Sequence, residues 1–139
     1  MTINELQEEI IGEFEMLDDW TDRYELIIDA AKGLKKQLPE ADKTDQNLID
    51  GCQSKVWITA HMEDGRMQLR GDSDALLVKG IVALLLSVLD DHTPEEIAKA
   101  DLYFIDRIGL REHLSPTRSN GIAAMLKQIH LFALAYQAK

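Results

Sequence analysis

The chain has 139 residues, 45% of them hydrophobic and 29% charged, which is the composition of a globular protein and a suitable length for a single domain over residues 1–139. Its 15 basic and 25 acidic residues give a net charge of −10, which repels phosphate backbones and anionic lipids and argues against nucleic acid or membrane partners. A single cysteine excludes an internal disulfide, and the polar start lacks a signal-peptide pattern, so we expect a cytoplasmic location.

The first third of the chain predicts two helices and a loop. Thr2 and Glu5 have the spacing of a capping box, and apolar residues follow them at helical intervals. A second helix is expected from about Thr21 to Lys32, with Gly33 as its end. The polar stretch 37–47 contains a proline and predicts a surface loop.

The hydrophobic period then changes from helical to alternating. Residues 56–62 alternate between two faces, Asp64-Gly65 is a strong hairpin signal, and the alternation continues over 67–70. This pattern predicts an antiparallel hairpin, with Trp57 in the core or on the sheet face. Residues 47–50 are a candidate for a short third strand.

The remainder of the chain predicts only helices. They are expected from a cap at Asp72 or Ser73 to near Leu89, from a helix start at Thr93-Pro94-Glu95-Glu96, over 101–109, and onward from Ser115-Pro116. The fold class is therefore α+β, a small antiparallel sheet packed against several helices.

Metal and nucleotide sites have no support in the sequence. The four histidines are scattered, and there is no Cys-x-x-Cys pair, Gly-x-Gly-x-x-Gly pattern or P-loop. We therefore expect neither a metal ligand set nor a resident cofactor.

Cys52 is the strongest candidate for chemistry. A free cysteine is usually a small buried hydrophobic residue, but Gly51, Gln53 and Ser54 are loop residues, and a strand follows. His61 would lie about 30 Å away along an extended strand and could serve as a base only if the chain folded back. Exchange between a thiolate and a second sulfur needs no base of its own, and a helix N-terminus or an arginine could lower the thiol pKa.

The sequence around Cys52 resembles the sulfur-acceptor motif GCQSxVW of SufE-type proteins (SufE and its paralogue CsdE), which residues 51–57 match. Further blocks match the same family in the same order. They are Gly71-Asp72-Ser73-Asp74 with Val78-Lys79-Gly80, and Leu114-Ser115-Pro116-Thr117-Arg118-Ser119-Asn120-Gly121.

The resemblance implies a fold similar to IscU-type scaffolds and the function of a sulfur carrier. SufE-type proteins take sulfane sulfur from a PLP-dependent cysteine desulfurase, stimulate that enzyme, and pass the sulfur to a SufBCD-type iron–sulfur scaffold. Carried over, Cys52 would form the persulfide. PLP would belong to the partner, a desulfurase of the SufS or CsdA type, and this chain would be a relay protein, not an enzyme.

Further roles for residues around Cys52 follow partly from this resemblance and partly from their positions in the chain. Gly51 and Gln53 are expected in the sulfur loop, Asp74 in its regulation, Arg118 in an ion pair or a partner contact, and Asn120 beside Gly121 where the last helix approaches the loop. Two other functions stay open: a stand-alone cysteine enzyme (a hydrolase or thiol peroxidase), and an interaction protein with an inert thiol. A monomer and a homodimer are both compatible with the sequence.

Overall fold

The computed structural model describes residues 1–34, 38–52 and 54–138, and its first elements are two helices. The predicted capping box opens α1 (Ile3–Glu15): the Glu5 backbone N–H donates to Thr2 Oγ1 at 3.1 Å, and the Thr2 N–H donates to the Glu5 carboxylate at 3.1 Å. Helix α2 (Trp20–Lys32) ends at Gly33, as the sequence indicates.

The predicted hairpin forms the sheet of the described structure. Strand β1 (Val56–Glu63) pairs antiparallel with β2 (Arg66–Ser73), and the register places Val56 opposite Ser73. At the turn between them, Asp64 has φ 53° and Gly65 has φ 80°, the left-handed conformation that a tight two-residue hairpin requires.

The candidate third strand reduces to a short backbone contact. Residues 45–47 form a turn of 3-10 helix, Leu48 makes an isolated bridge with Trp57, and the Ile49 N–H donates to the Val56 carbonyl at 2.8 Å. The ladder cannot extend further because the chain must reverse within residues 50–55 to enter β1. This contact closes the start of the loop that carries Cys52.

Helix α3 (Leu76–Leu89) is buried along most of its length, but its predicted cap is wrong. Asp72 and Ser73 both belong to β2, the N-cap position is Ala75, and no side chain caps the helix. The reason is tertiary, because pairing with Val56 keeps Ser73 in the strand. Ser73 Oγ instead accepts a hydrogen bond from the Ala75 N–H at 3.2 Å.

Helices α2 and α3 cross at a glycine. A Cβ atom built on Gly80 would overlap the backbone carbonyl oxygen of Ile27, so only glycine permits this close approach. Ile27 is fully buried, as are Phe14 and Val82, and these side chains belong to the core cluster between the helices and the sheet.

The C-terminal half is helical as predicted, with one interruption. The elements are α4 (Pro94–Lys99), α5 (Phe104–Arg107), α6 (Leu110–His113) and α7 (Pro116–Gln137). The helix expected over 101–109 forms only as the shorter α5, and Gly109, at φ 75°, then turns the chain into α6. Ser115 caps α7 by accepting from the Arg118 N–H at 3.3 Å, as its sequence indicates.

The architecture is thus α+β, as predicted from the sequence: seven helices and a two-stranded antiparallel sheet over the described residues. Helix α7 is joined to the sheet by the Tyr136 hydroxyl, which donates to the Ala60 carbonyl at 3.0 Å. None of the helices in the described ranges combines the length and apolar content needed to span a bilayer.

Candidate functional site

Cys52 lies near the tip of a reversed loop, residues 50–55, between the Ile49 contact and strand β1. Gly51 has φ 91°, a conformation that other residues rarely adopt, and it allows the chain to turn just before the thiol. The expected loop glycine therefore has a structural reason at this position. Gln53, the next expected site residue, lies outside the described residues.

The end of the loop is fixed at Lys55 by hydrogen bonds to Ser73 and Asp74. Asp74 Oδ1 accepts from the Lys55 N–H at 3.0 Å, and the Asp74 N–H donates to the Lys55 carbonyl at 3.2 Å. The Ser73 hydroxyl donates to the same carbonyl at 2.8 Å. Asp74 is therefore attached to the Cys52 loop, and Ser73 contributes a further tether that the sequence did not indicate.

The Cys52 side chain is half-buried in a narrow cleft of about 20 Å³, which is room for about one water-sized group. The cleft lies between the loop, α3 and α7. Its lining consists of Cys52, Ser54, Val78, Ile81, Thr117, Arg118, Gly121, Ile122 and Met125. Most of these side chains are apolar, so the thiol is sheltered by hydrocarbon.

Gly121 allows α7 to approach the thiol. The Cys52 S–H donates weakly to the Gly121 carbonyl oxygen at 3.6 Å, and a Cβ atom built on Gly121 would lie 3.4 Å from Cys52 Sγ. Asn120, the neighbouring expected site residue, is exposed. The approach of the last helix to the loop, expected from Asn120-Gly121, is therefore made through Gly121.

Burial raises the pKa of the Cys52 thiol above its ordinary value, because the cleft removes water that would stabilise the thiolate. The expectation that a helix end or an arginine lowers this pKa is wrong for the resting conformation. Arg118 does line the cleft, but it is exposed to solvent. The resting thiol is thus protonated and protected at neutral pH.

Arg118 has no acidic partner within ion-pair distance among the described residues. It lies in the first turn of α7, where a cation opposes the helix dipole, so the dipole does not explain its position. Of the two expectations for Arg118, the internal ion pair is not found in the described part of the chain, and the partner contact stays a prediction.

Groups that would assist Cys52 as a stand-alone enzyme are not found around it in the described structure. No histidine is among the residues that line the cleft, and His61 is exposed on β1. The sequence contains no second cysteine that could resolve a sulfenic acid. Over residues 1–34, 38–52 and 54–138, no group of three or more potential ligands could hold a metal ion.

Two features of the site were not indicated by the sequence. The walls of the cleft include Val78, Ile81 and Met125. The helical spacing of these residues in the sequence predicts only that they are buried in the core. Asp72 is buried in an ionic cluster beside the loop. An acidic residue between glycine and serine carries no local sign of burial, so only the tertiary structure shows this cluster.

Comparison with known proteins gives a consistent result. The family model described as "SufE: Fe-S metabolism associated domain" matches residues 8–133. An uncharacterised SufE-like protein of Rhizobium meliloti is 39% identical over 127 residues, covering 88% of this chain and 90% of the relative. One of Rhizobium etli is 42% identical over 127 residues, covering 88% and 85% of the two chains.

A third relative and a solved structure agree. An uncharacterised SufE-like protein of Synechocystis is 41% identical over 128 residues, covering 92% of this chain and 80% of the relative. The solution structure of a hypothetical protein from Thermus thermophilus has a TM-score of 0.78 at 20% identity, covering 96% of this chain and 97% of that one, which supports the fold. The chain therefore belongs to the SufE family of domains associated with iron–sulfur metabolism.

Proposed function

We propose that this protein is a sulfur carrier that accepts persulfide sulfur on Cys52 from a cysteine desulfurase and relays it to iron–sulfur cluster assembly. The observation that carries the proposal is the setting of Cys52: a lone thiol near a loop tip, sheltered in an apolar cleft, with no histidine in the cleft lining. Such a thiol suits exchange with another sulfur, which needs no base of its own.

The transfer step balances without an external oxidant or reductant. After the loop leaves the cleft, the Cys52 thiolate attacks the outer sulfur of the persulfide on the desulfurase cysteine. A new S–S bond forms on Cys52, the old S–S bond breaks, and the desulfurase cysteine leaves as a thiolate. Removing this sulfur frees the desulfurase for another turnover, which accounts for stimulation of that enzyme.

The sheltered resting state supports this assignment. Burial keeps the thiol protonated, so it reacts slowly with small electrophiles until a partner draws the loop out. Arg118 is exposed at the edge of the cleft, where it is available to an acidic group of the partner. The PLP that generates the sulfur belongs to that partner, a desulfurase of the SufS or CsdA type, and the recipient is a SufBCD-type scaffold in the cytoplasm.

The test combines desulfurase activity with intact-mass analysis. With cysteine and a SufS-type or, in parallel, a CsdA-type desulfurase, the protein is expected to stimulate sulfide release and to gain one sulfur atom that a reductant removes. The Cys52→Ser variant should do neither. Arg118→Ala should still accept sulfur, but it should need a higher concentration for half-maximal stimulation. A Cys52→Ser protein that stimulates as well as the wild type would contradict the proposal.

A further inference from the structure

A buried carboxylate lies beside the sulfur loop and joins three parts of the chain. The Asp72 side chain is only 2% exposed, and its oxygens lie 2.9 Å from Lys43 Nζ and 3.4 Å from Lys79 Nζ. Asp72 Oδ1 also accepts from the Ser73 N–H at 2.8 Å. The carboxylate thus joins strand β2 to helix α3 through Lys79, and to the connection before the sulfur loop through Lys43.

Lys43 is held in place by several groups. Its side chain is 16% exposed and its ammonium also lies 2.6 Å from Glu40. The same ammonium lies 5.6 Å from the centre of the Trp57 ring. Hydrogen bonds to Glu40 and then to Asp72 raise the pKa of Lys43 above its ordinary value, so this residue stays charged.

The backbone of Trp57 pairs with Leu48 on one side and with Asp72 on the other. The contact between Lys43 and Asp72 therefore closes the connection over Trp57, just before the chain enters the Cys52 loop.

The two ends of the sulfur loop are secured unequally. At its end, Lys55 makes three hydrogen bonds with Ser73 and Asp74, and none of the three involves Lys43. At its start, the contact is the Leu48 bridge and the hydrogen bond from Ile49 to Val56. The start of the loop therefore depends more strongly on what holds the preceding connection in place.

We propose that the Lys43–Asp72 ion pair is a positioning device that controls how often the Cys52 loop leaves its cleft. A charged pair with little exposure loses more on separation than a surface pair does, because the carboxylate is left in a poorly hydrated site. Loss of Lys43 removes the contact that holds the connection against Trp57 ahead of the Leu48 bridge, and so weakens the start of the loop. Loss of Lys79 removes a contact to the same carboxylate but leaves that connection in place.

The test compares Lys43→Met with Lys79→Met, two variants that each remove one positive charge beside the Asp72 carboxylate. The readout is the rate at which iodoacetamide alkylates Cys52 in the native protein at fixed pH, with unfolding stability measured in parallel. Lys43→Met is expected to raise the rate by about threefold or more, whereas Lys79→Met stays near wild type. Lys43→Arg, which keeps the charge, should restore a rate close to that of the wild type.

Equal acceleration in both methionine variants, or acceleration in proportion to lost stability, would reduce the pair to a general structural role and overturn the proposal. The biological meaning of the device depends on the sulfur-carrier function, but alkylation needs no desulfurase. Failure of the wild type to take up sulfur would therefore refute the function and leave the alkylation result standing. If both proposals hold, Lys43→Met should also need less protein for half-maximal desulfurase stimulation, because its competent conformation is more populated.

Discussion

Replacing Gly121 with alanine tests whether the cleft holds the transferred sulfur. The new methyl carbon would lie 3.4 Å from Cys52 Sγ, at the short end of ordinary contact distances, so the thiol needs to shift by no more than a few tenths of an ångström. Gly121 is one of the residues that line the cleft of about 20 Å³, so the same methyl group would reduce the free space beside the thiol. A persulfide has one more sulfur atom, slightly larger than a water molecule, and it would no longer fit.

The expected effects on stability and on the persulfide therefore have opposite signs. Alanine is better than glycine by about 0.8–1.0 kcal/mol in a helix interior, so Gly121→Ala should raise the stability of the thiol form, with a melting temperature higher by roughly 3 °C. Its persulfide should lose the shelter of the cleft. Adding Ala123→Gly at an exposed position of α7 cancels the helix gain and isolates the effect on the cleft.

The assay begins with both proteins loaded by desulfurase and cysteine and then separated from the enzyme. Intact mass is followed over time in the presence of a small thiol, which removes sulfur from an accessible persulfide. The persulfide of the Gly121→Ala protein should disappear severalfold faster than that of the wild type, whereas alkylation of its unloaded thiol should be unchanged. Equal persulfide lifetimes would show that the sulfur does not lie in this cleft.

Two further predictions concern buried groups. Because burial raises the pKa of Cys52, the neutral thiol stabilises the folded state; this stabilisation is complete below the ordinary pKa and is lost as pH rises through the raised pKa. Denaturant titrations from about pH 8 to about pH 10.5 should therefore show the wild type losing unfolding free energy relative to Cys52→Ser. Parallel stability curves for the two proteins would contradict a sheltered thiol. Gln7 is fully buried, and its side chain accepts from the Phe104 N–H and donates to the Asp101 carbonyl. Gln7→Leu should therefore lower the free energy of unfolding in denaturant by about 2 kcal/mol or more, whereas Gln137→Leu on the surface should change it little. Small and equal losses of unfolding free energy in the two variants would contradict the buried hydrogen bonds.

The features that the sequence predicts well are those whose conformation depends on residues a few positions apart in the chain. The capping box of Thr2 and Glu5 needs only one turn of helix, and so does the start of α4 at Thr93. The Asp64-Gly65 turn follows from the left-handed conformations that these two residue types tolerate. These signals, together with the change from helical to alternating periodicity, are sufficient to predict the α+β class.

The features that the sequence does not predict depend on distant partners. Ser73 has the chemistry of a helix cap, but pairing with Val56 keeps it in β2. The thiol pKa is raised by burial in a cleft lined by residues of α3 and α7, among them Val78 and Gly121, and no local pattern around Cys52 shows that these helices shelter it.

The resting structure and the proposed chemistry require opposite properties of Cys52, and the loop reconciles them. In the cleft the thiol is protonated and is held by apolar contacts and one weak hydrogen bond to Gly121. Lys55 is firmly bonded at the base, so the end of the loop stays anchored when Cys52 leaves the cleft, and the core is little disturbed. The thiolate is needed only after the side chain has left the cleft and the raised pKa no longer applies. On the proposed function, a partner that binds the open loop would therefore both expose and activate the Cys52 thiol.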